Sequence, residues 1–226
     1  MVNKSAIKIK TIAFLKSLFG KRVIYQLLER KYIEIYKRNK ILFIHIPKAA
    51  GTSIANVLYG KRNGHLKASF VKIKMGELLY SEKYSFTVTR NPYDRLISAY
   101  RFARQGRTKD GAIADPEFYQ APIFETFEGF IKKWLTHQDL NLLDPVFQPQ
   151  YSFVFDDNEQ LLVDGLFKME SMEELEKVLS ERLKKEVKIG KKNKSQIKIE
   201  TVYTPQLEEI VYGLYKKDFI LLGYDK

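Results

Sequence analysis

The sequence predicts a single α/β domain, a central parallel sheet flanked by helices. Three observations carry that expectation. The run Ile41-Leu42-Phe43-Ile44-His45-Ile46 is apolar without alternation, as a strand covered on both faces should be. A turn and a helical pattern follow it, and the same strand–turn–helix order returns between Ser85 and Ala103. Finally, a chain of 226 residues can bury roughly 70% of its unfolded surface in one core, which suits one domain and not two.

Along the chain, residues 1–40 read as a basic helical extension and residues 41–226 as the domain itself. Ala6–Phe19 has the pattern of a short amphipathic helix ending at Gly20, and a second helix is expected from Val23 to Tyr36. After the first strand, Pro47–Ser53 turns the chain into a helix running from Ile54 to Tyr59. The second strand, Ser85–Thr89, ends at Arg90, and Asn91 caps a helix whose first position is Pro92. Gln105–Pro122 holds Gly106, Gly111, Pro116 and Pro122 and is expected to be a long surface loop. Phe124–Leu140 reads as one helix with Phe127, Phe130, Ile131, Trp134 and Leu135 on a common face. Leu166–Met169 reads as a short strand with Met172–Leu183 as a helix behind it. Gly190–Lys198 is a basic loop, and Pro205–Lys217 is a final helix before an apolar tail, Phe219–Tyr224.

Composition narrows the chemistry. There is no cysteine, so disulfides, thiolate metal clusters and cysteine nucleophiles are excluded. The three histidines, His45, His65 and His137, are too scattered for a zinc site, and no metal is expected. No apolar run approaches the ~20 residues that span a bilayer. Lys16 interrupts the apolar stretch of the first helix and no small-residue cleavage site follows, so it does not read as a signal peptide. These features point to a cytoplasmic protein, in at most peripheral contact with the inner membrane through residues 5–19. The net charge is +12, and it is concentrated. Residues 1–40 carry +9 and residues 184–198 carry +6, which leaves −3 for the remainder. Such blocks suit an anionic lipid, an acidic polysaccharide or a nucleic acid, or are simply solvated lysine-rich faces.

The two strand ends are more specific. A buried strand, then Pro47-Lys48-Ala49-Ala50-Gly51-Thr52-Ser53, then a helix, is a P-loop-like arrangement for holding phosphate. Glycine lets backbone approach an anion, the helix start offers N–H groups, and the helix dipole favours negative charge there. Lys48 adds a point charge, and Thr52 and Ser53 add hydroxyl donors. The lysine precedes the glycine, so this is no Walker A sequence. Arg90 stands at the end of the second strand and Ser98 two helical turns later. An arginine there can grip a phosphate bidentately. Two such sites at strand ends imply one ligand with two separated anionic groups, bound where open α/β sheets bind ligands.

Phe43-Ile44-His45-Ile46-Pro47-Lys48-Ala49-Ala50-Gly51-Thr52-Ser53 resembles the 5′-phosphosulfate loop of the sulfotransferase superfamily. Val88-Thr89-Arg90-Asn91-Pro92-Tyr93-Asp94-Arg95-Leu96-Ile97-Ser98-Ala99-Tyr100 resembles its 3′-phosphate motif. Within the superfamily the wording is most similar to membrane-bound, Golgi-type carbohydrate sulfotransferases and their bacterial relatives. The resemblance implies 3′-phosphoadenosine 5′-phosphosulfate (PAPS) as donor. It puts Lys48 beside the leaving phosphate oxygen, the Ala50, Gly51, Thr52 and Ser53 segment around the 5′-phosphosulfate, and Arg90 and Ser98 on the 3′-phosphate. The loop containing Lys194 and Ser195 falls where relatives close over the nucleotide.

Gly64-His65 lies between the motifs, as does a Gly-His segment that supplies the base in uronyl 2-O-sulfotransferases. An imidazole with its ordinary pKa near 6.5 can accept a hydroxyl proton at neutral pH. His45 is expected to be a satisfied core histidine and His137 to be structural. Many relatives carry a histidine near Val146–Gln150, and this chain does not. The expected activity is sulfuryl transfer from PAPS to a glycan hydroxyl, on an anionic or lipid-linked saccharide, with His65 as base and no nucleic-acid partner. The alternatives are a P-loop nucleotide kinase and a non-enzymatic basic module that binds membranes or polyanions.

Overall fold

The computed structural model describes residues 26, 28–108, 111–190 and 202–226. The amphipathic block 6–19 and most of the basic loop, Lys194 and Ser195 included, lie outside the described residues.

Helix α1 (28–38) leads into β1 (Ile41–Ile44), and β2 (Tyr84–Thr89) and β5 (Gly165–Lys168) complete a three-stranded parallel sheet in the order β1–β2–β5. Between β1 and β2 run α2 (Gly51–Tyr59), α3 (Ala68–Met75) and α4 (Glu77–Ser81). Both faces of the sheet are covered, which explains the unbroken apolar run of β1. Ile41 and Phe43 point to one face, where Phe86, Val88, Phe167, Ile54 of α2 and Leu175 and Leu179 of α7 (Met172–Leu183) close the core. Leu42 and Ile44 point to the other, against Ile33 and Tyr36 of α1, Val71 and Met75 of α3, and Phe153. The α1 helix is thus part of the core.

A third cluster, rich in aromatic rings, joins α5 (Pro92–Gln105), α6 (Phe127–Lys133), α8 (Pro205–Leu214) and α9 (Lys216–Leu222). Here the local expectations needed correction. The helix read over Phe124–Leu140 is confined to α6, because Thr126 caps it by accepting from Gly129 N (3.0 Å) and Trp134 leaves helical geometry at φ −130°. The stretch 105–122 is more than a surface loop. It contains a small hairpin, β3 (Arg107–Thr108) with β4 (Gly111–Ala112), and buries Ile113 and Tyr119 in the aromatic cluster. The final helix breaks at Tyr215, whose hydroxyl donates to the Phe147 carbonyl (2.8 Å), and the apolar tail is itself largely helical as α9.

Candidate active site

The loops after β1 and β2 leave the same edge of the sheet, because the strands are parallel neighbours with Ile44 opposite Thr87. In the first loop, Lys48 and Ala50 take positive φ, +68° and +59°. Left-handed backbone costs a non-glycine residue about 1–2 kcal/mol, and that strain is held by its surroundings. Arg95, 2% exposed, supplies much of the hold. Its Nε donates to the Pro47 carbonyl (3.0 Å) and its terminal nitrogen to the Gln148 carbonyl (2.9 Å).

The start of α2 has no acidic residue in its first turn and no side-chain cap at Ala50. The Ser53 amide donates to the Ala50 carbonyl (3.1 Å), while those of Gly51 and Thr52 make no helical bond and sit at the positive end of the dipole, with the Thr52 and Ser53 side chains half-buried beside them. This donor set fits a phosphate. Lys48 Nζ lies 4.4 Å over the ring of Phe102. Phe102, Ser98 and Asp94 follow one another at i, i+4 spacing on α5, so the stripe that carries Ser98 is the one facing the Lys48 loop.

Gly51 also has a packing role. A Cβ there would overlap the His45 imidazole, so the glycine admits a side chain of its own protein as well as any ligand.

Arg90 follows β2 with a side chain 15% exposed and a long ion pair to Asp94 (3.9 Å). Burial pulls its pKa down, against the opposing pull of Asp94 and Glu170. Its main chain is gripped at both atoms by Gln150, whose Oε1 accepts from Arg90 N (3.0 Å) while Nε2 donates to Arg90 O (2.8 Å). Gln150 is fully buried, and its own amide, with that of Tyr151, donates to the carboxylate of Asp218 (both 2.9 Å). Burial pushes Asp218 up to about 6, against the opposing effects of Arg95 and these amides. Asn91 caps α5 as expected, accepting from Tyr93 N (3.0 Å), and its own amide donates to Glu170 (2.9 Å). The Tyr224 hydroxyl then joins Glu170 (3.1 Å) to Thr89 (3.0 Å).

His65 is delivered by Gly64, which has φ +72° and whose missing Cβ makes room for the Tyr32 ring. The His65 ring is half-buried, with Nδ1 3.2 Å from the His45 carbonyl. A carbonyl only accepts, so this bond assigns the proton to Nδ1 and leaves the lone pair on Nε2. Burial pulls the imidazole down to about 4; the bond to His45 opposes this, and the charges of Arg62, Arg95 and Lys48 add to it. The structure therefore brings His65 into the electrostatic reach of the Lys48 loop.

His45 is a satisfied core histidine, 2% exposed, with Nδ1 3.2 Å from Asn63 Oδ1. His137 is exposed at the end of a single 3₁₀ turn. Arg95, Asn63 and Asp218 were not singled out by sequence reasoning. The one available signal was Arg95 itself, a charge set beside Leu96 and Ile97 on the apolar side of an amphipathic helix.

Among the described residues, no group of three His, Cys, Asp or Glu could hold a metal. No curated protein and no solved structure matches the chain. A family model described as a sulfotransferase family matches residues 31–225, a span that includes β1, both strand-end loops, His65 and the Asp218–Tyr224 segment. The chain belongs to the sulfotransferase family.

Proposed function

We propose that this protein transfers a sulfuryl group from PAPS to a hydroxyl of a carbohydrate acceptor, a polysaccharide or a lipid-linked glycan. Sulfotransferases in general take the sulfuryl group from PAPS, which carries anionic groups at its 5′ and 3′ ends. What carries the reading is the pairing of two anion-binding strand ends on adjacent parallel strands with a neutral imidazole beside the first. Lys48, the leading amides of α2, Thr52 and Ser53 hold the 5′ end, and Arg90 with Ser98 holds the 3′ phosphate. His65 Nε2 accepts the proton of the acceptor hydroxyl as its oxygen attacks sulfur in line. Lys48 stabilises the charge that builds on the departing phosphate oxygen.

The test is incubation with sulfur-labelled PAPS and a panel of glycans, lipid-linked sugars and peptides. Label is expected in a saccharide, without added magnesium. Transfer to peptide alone overturns the acceptor class. A preference for ATP over PAPS overturns the donor. The product nucleotide, 3′-phosphoadenosine 5′-phosphate (PAP), at 100 times its Kd should stabilise the fold by ~2.7 kcal/mol, a rise of roughly 5–10 °C in Tm.

A further inference from the structure

We propose that His45 is a positioning residue: its ring sets the spacing between His65 and the start of α2, and Asn63 holds that ring in one tautomer. The inference rests on His65 acting as the base.

The tautomer follows by elimination. Asn63 is fully buried, and its Nδ2 donates to the Phe43 carbonyl (2.6 Å) and to the Tyr36 hydroxyl (3.0 Å). The Tyr36 hydroxyl spends its own proton on the same carbonyl (3.0 Å). Asn63 Oδ1 is therefore the atom facing His45 Nδ1, and because it only accepts, Nδ1 carries the ring proton. The Cδ2–Nε2 edge of the ring is then turned to Gly51, into the space a Cβ would take.

The same residue also supports His65. The two rings meet edge to face with centroids 4.3 Å apart, and the His45 carbonyl takes the His65 Nδ1 proton. One residue thus touches the helix that cradles the donor and, through ring and carbonyl together, the base. A displacement of about 1 Å between reacting groups can cost on the order of 10²-fold in rate, so the spacing this ring keeps matters to turnover. The charged groups acting on His65 are Arg62, Arg95 and Lys48, and on His45 the cation is Arg62, with His65 itself alongside. Burial, and then these cations, disfavour a proton on either ring, so both rings are neutral at neutral pH.

With three histidines in the chain, ring-nitrogen NMR of ¹⁵N-histidine-labelled protein with PAP bound resolves each one. His45 and His65 are both expected as Nδ1–H tautomers, with exposed His137 as the internal reference. An Nε2–H tautomer at either position overturns the proposal, whatever the enzyme's activity. His45→Ala should then lose turnover on the order of 10²-fold at saturating PAPS, bind PAP nearly as before, and show its acid limb at higher pH as His65 gains water. His45→Asn keeps an N–H for Asn63 and is expected to fold while showing the same kinetic loss. A variant that only melts earlier, with unchanged turnover per folded molecule and an unmoved acid limb, shows a structural role and overturns the proposal. Should His65→Ala retain full turnover, the base assignment fails, while the tautomer result still reports separately on the Asn63–His45 clamp.

Discussion

A histidine works as a general base only while its accepting nitrogen is unprotonated. With the His65 imidazole pulled down to about 4, Nε2 is available across the neutral range. Turnover is expected to stay level as pH falls to about 5 and to drop through pH 4, not through the ordinary imidazole value of 6.5. The same shift acts on stability. The unfolded chain takes the proton near 6.5 and the folded chain near 4, so this contribution is complete above 6.5 and is lost progressively as pH falls toward 4. Brief assays paired with urea midpoints at each pH separate the two effects, and an acid limb near 6.5 with the protein still folded would contradict the assignment. His65→Ala should lose ~10²–10⁴-fold in single-turnover transfer while binding PAP as wild type does. Lys48 and Arg90 should behave differently from each other. Lys48→Ala is expected to lower kcat, since charge on the bridging oxygen grows only in the transition state. Arg90→Ala is expected to raise the KM for PAPS, because it removes a charge-assisted contact remote from sulfur. Equal, modest rises in KM with unchanged kcat for both would refute the role given to Lys48.

The elements add a constraint that no single side chain shows. The start of α2 and the end of β1 are in contact because Gly51 has no side chain where the His45 ring lies. Gly51→Ala must displace one of them, at a cost of about 1–3 kcal/mol for overpacking, and should weaken PAP binding along with the urea midpoint. An alanine variant as stable and as tight-binding as wild type would show that the contact relaxes freely. Much of this architecture was legible in the sequence. The unbroken Ile41–Ile46 run, the Asn91–Pro92 cap and the Met172–Leu183 periodicity each encode their element locally, and each element forms. Phe124–Leu140 was not legible in the same way. Its 3.6-residue spacing is real, but Phe124, Trp134 and Phe147 pack on one another from separate short turns, so the periodicity reports burial without reporting a helix. The site shows the same division. Lys48 and Arg90 announce themselves by motif, whereas Asn63, Gln150 and Asp218 act through partners 20, 60 and 68 positions away, and local pattern carries no trace of such pairing.

At the scale of the molecule, Arg95 and Asp218 tie the two strand-end loops to the last helix. Arg95 holds Pro47, Asp218 holds Gln150, and Gln150 holds Arg90. Asp218→Asn removes the negative charge whose field acts on buried Arg95 and withdraws an acceptor from Gln150 or Tyr151. Leaving a buried amide without its acceptor costs about 1–3 kcal/mol, which for a chain of this length is a fall of roughly 2–12 °C in Tm. The signature of the network is that PAP affinity drops as well, although Asp218 touches no nucleotide contact directly; an Asn variant of native Tm and native affinity would dissolve it. The Tyr224 hydroxyl, bonded to Thr89 across 135 positions of sequence, has a consequence for biosynthesis. Chains are made from the N-terminus, and segments fold as they emerge. Both strand-end loops are therefore translated long before the residues that lock Gln150, Glu170 and Thr89 in place. A ribosome that stops short of Asp218 releases a polypeptide that carries both strand-end motifs but lacks the carboxylate that fixes Gln150 against Arg90, so premature termination is expected to yield a silent product rather than a half-working one.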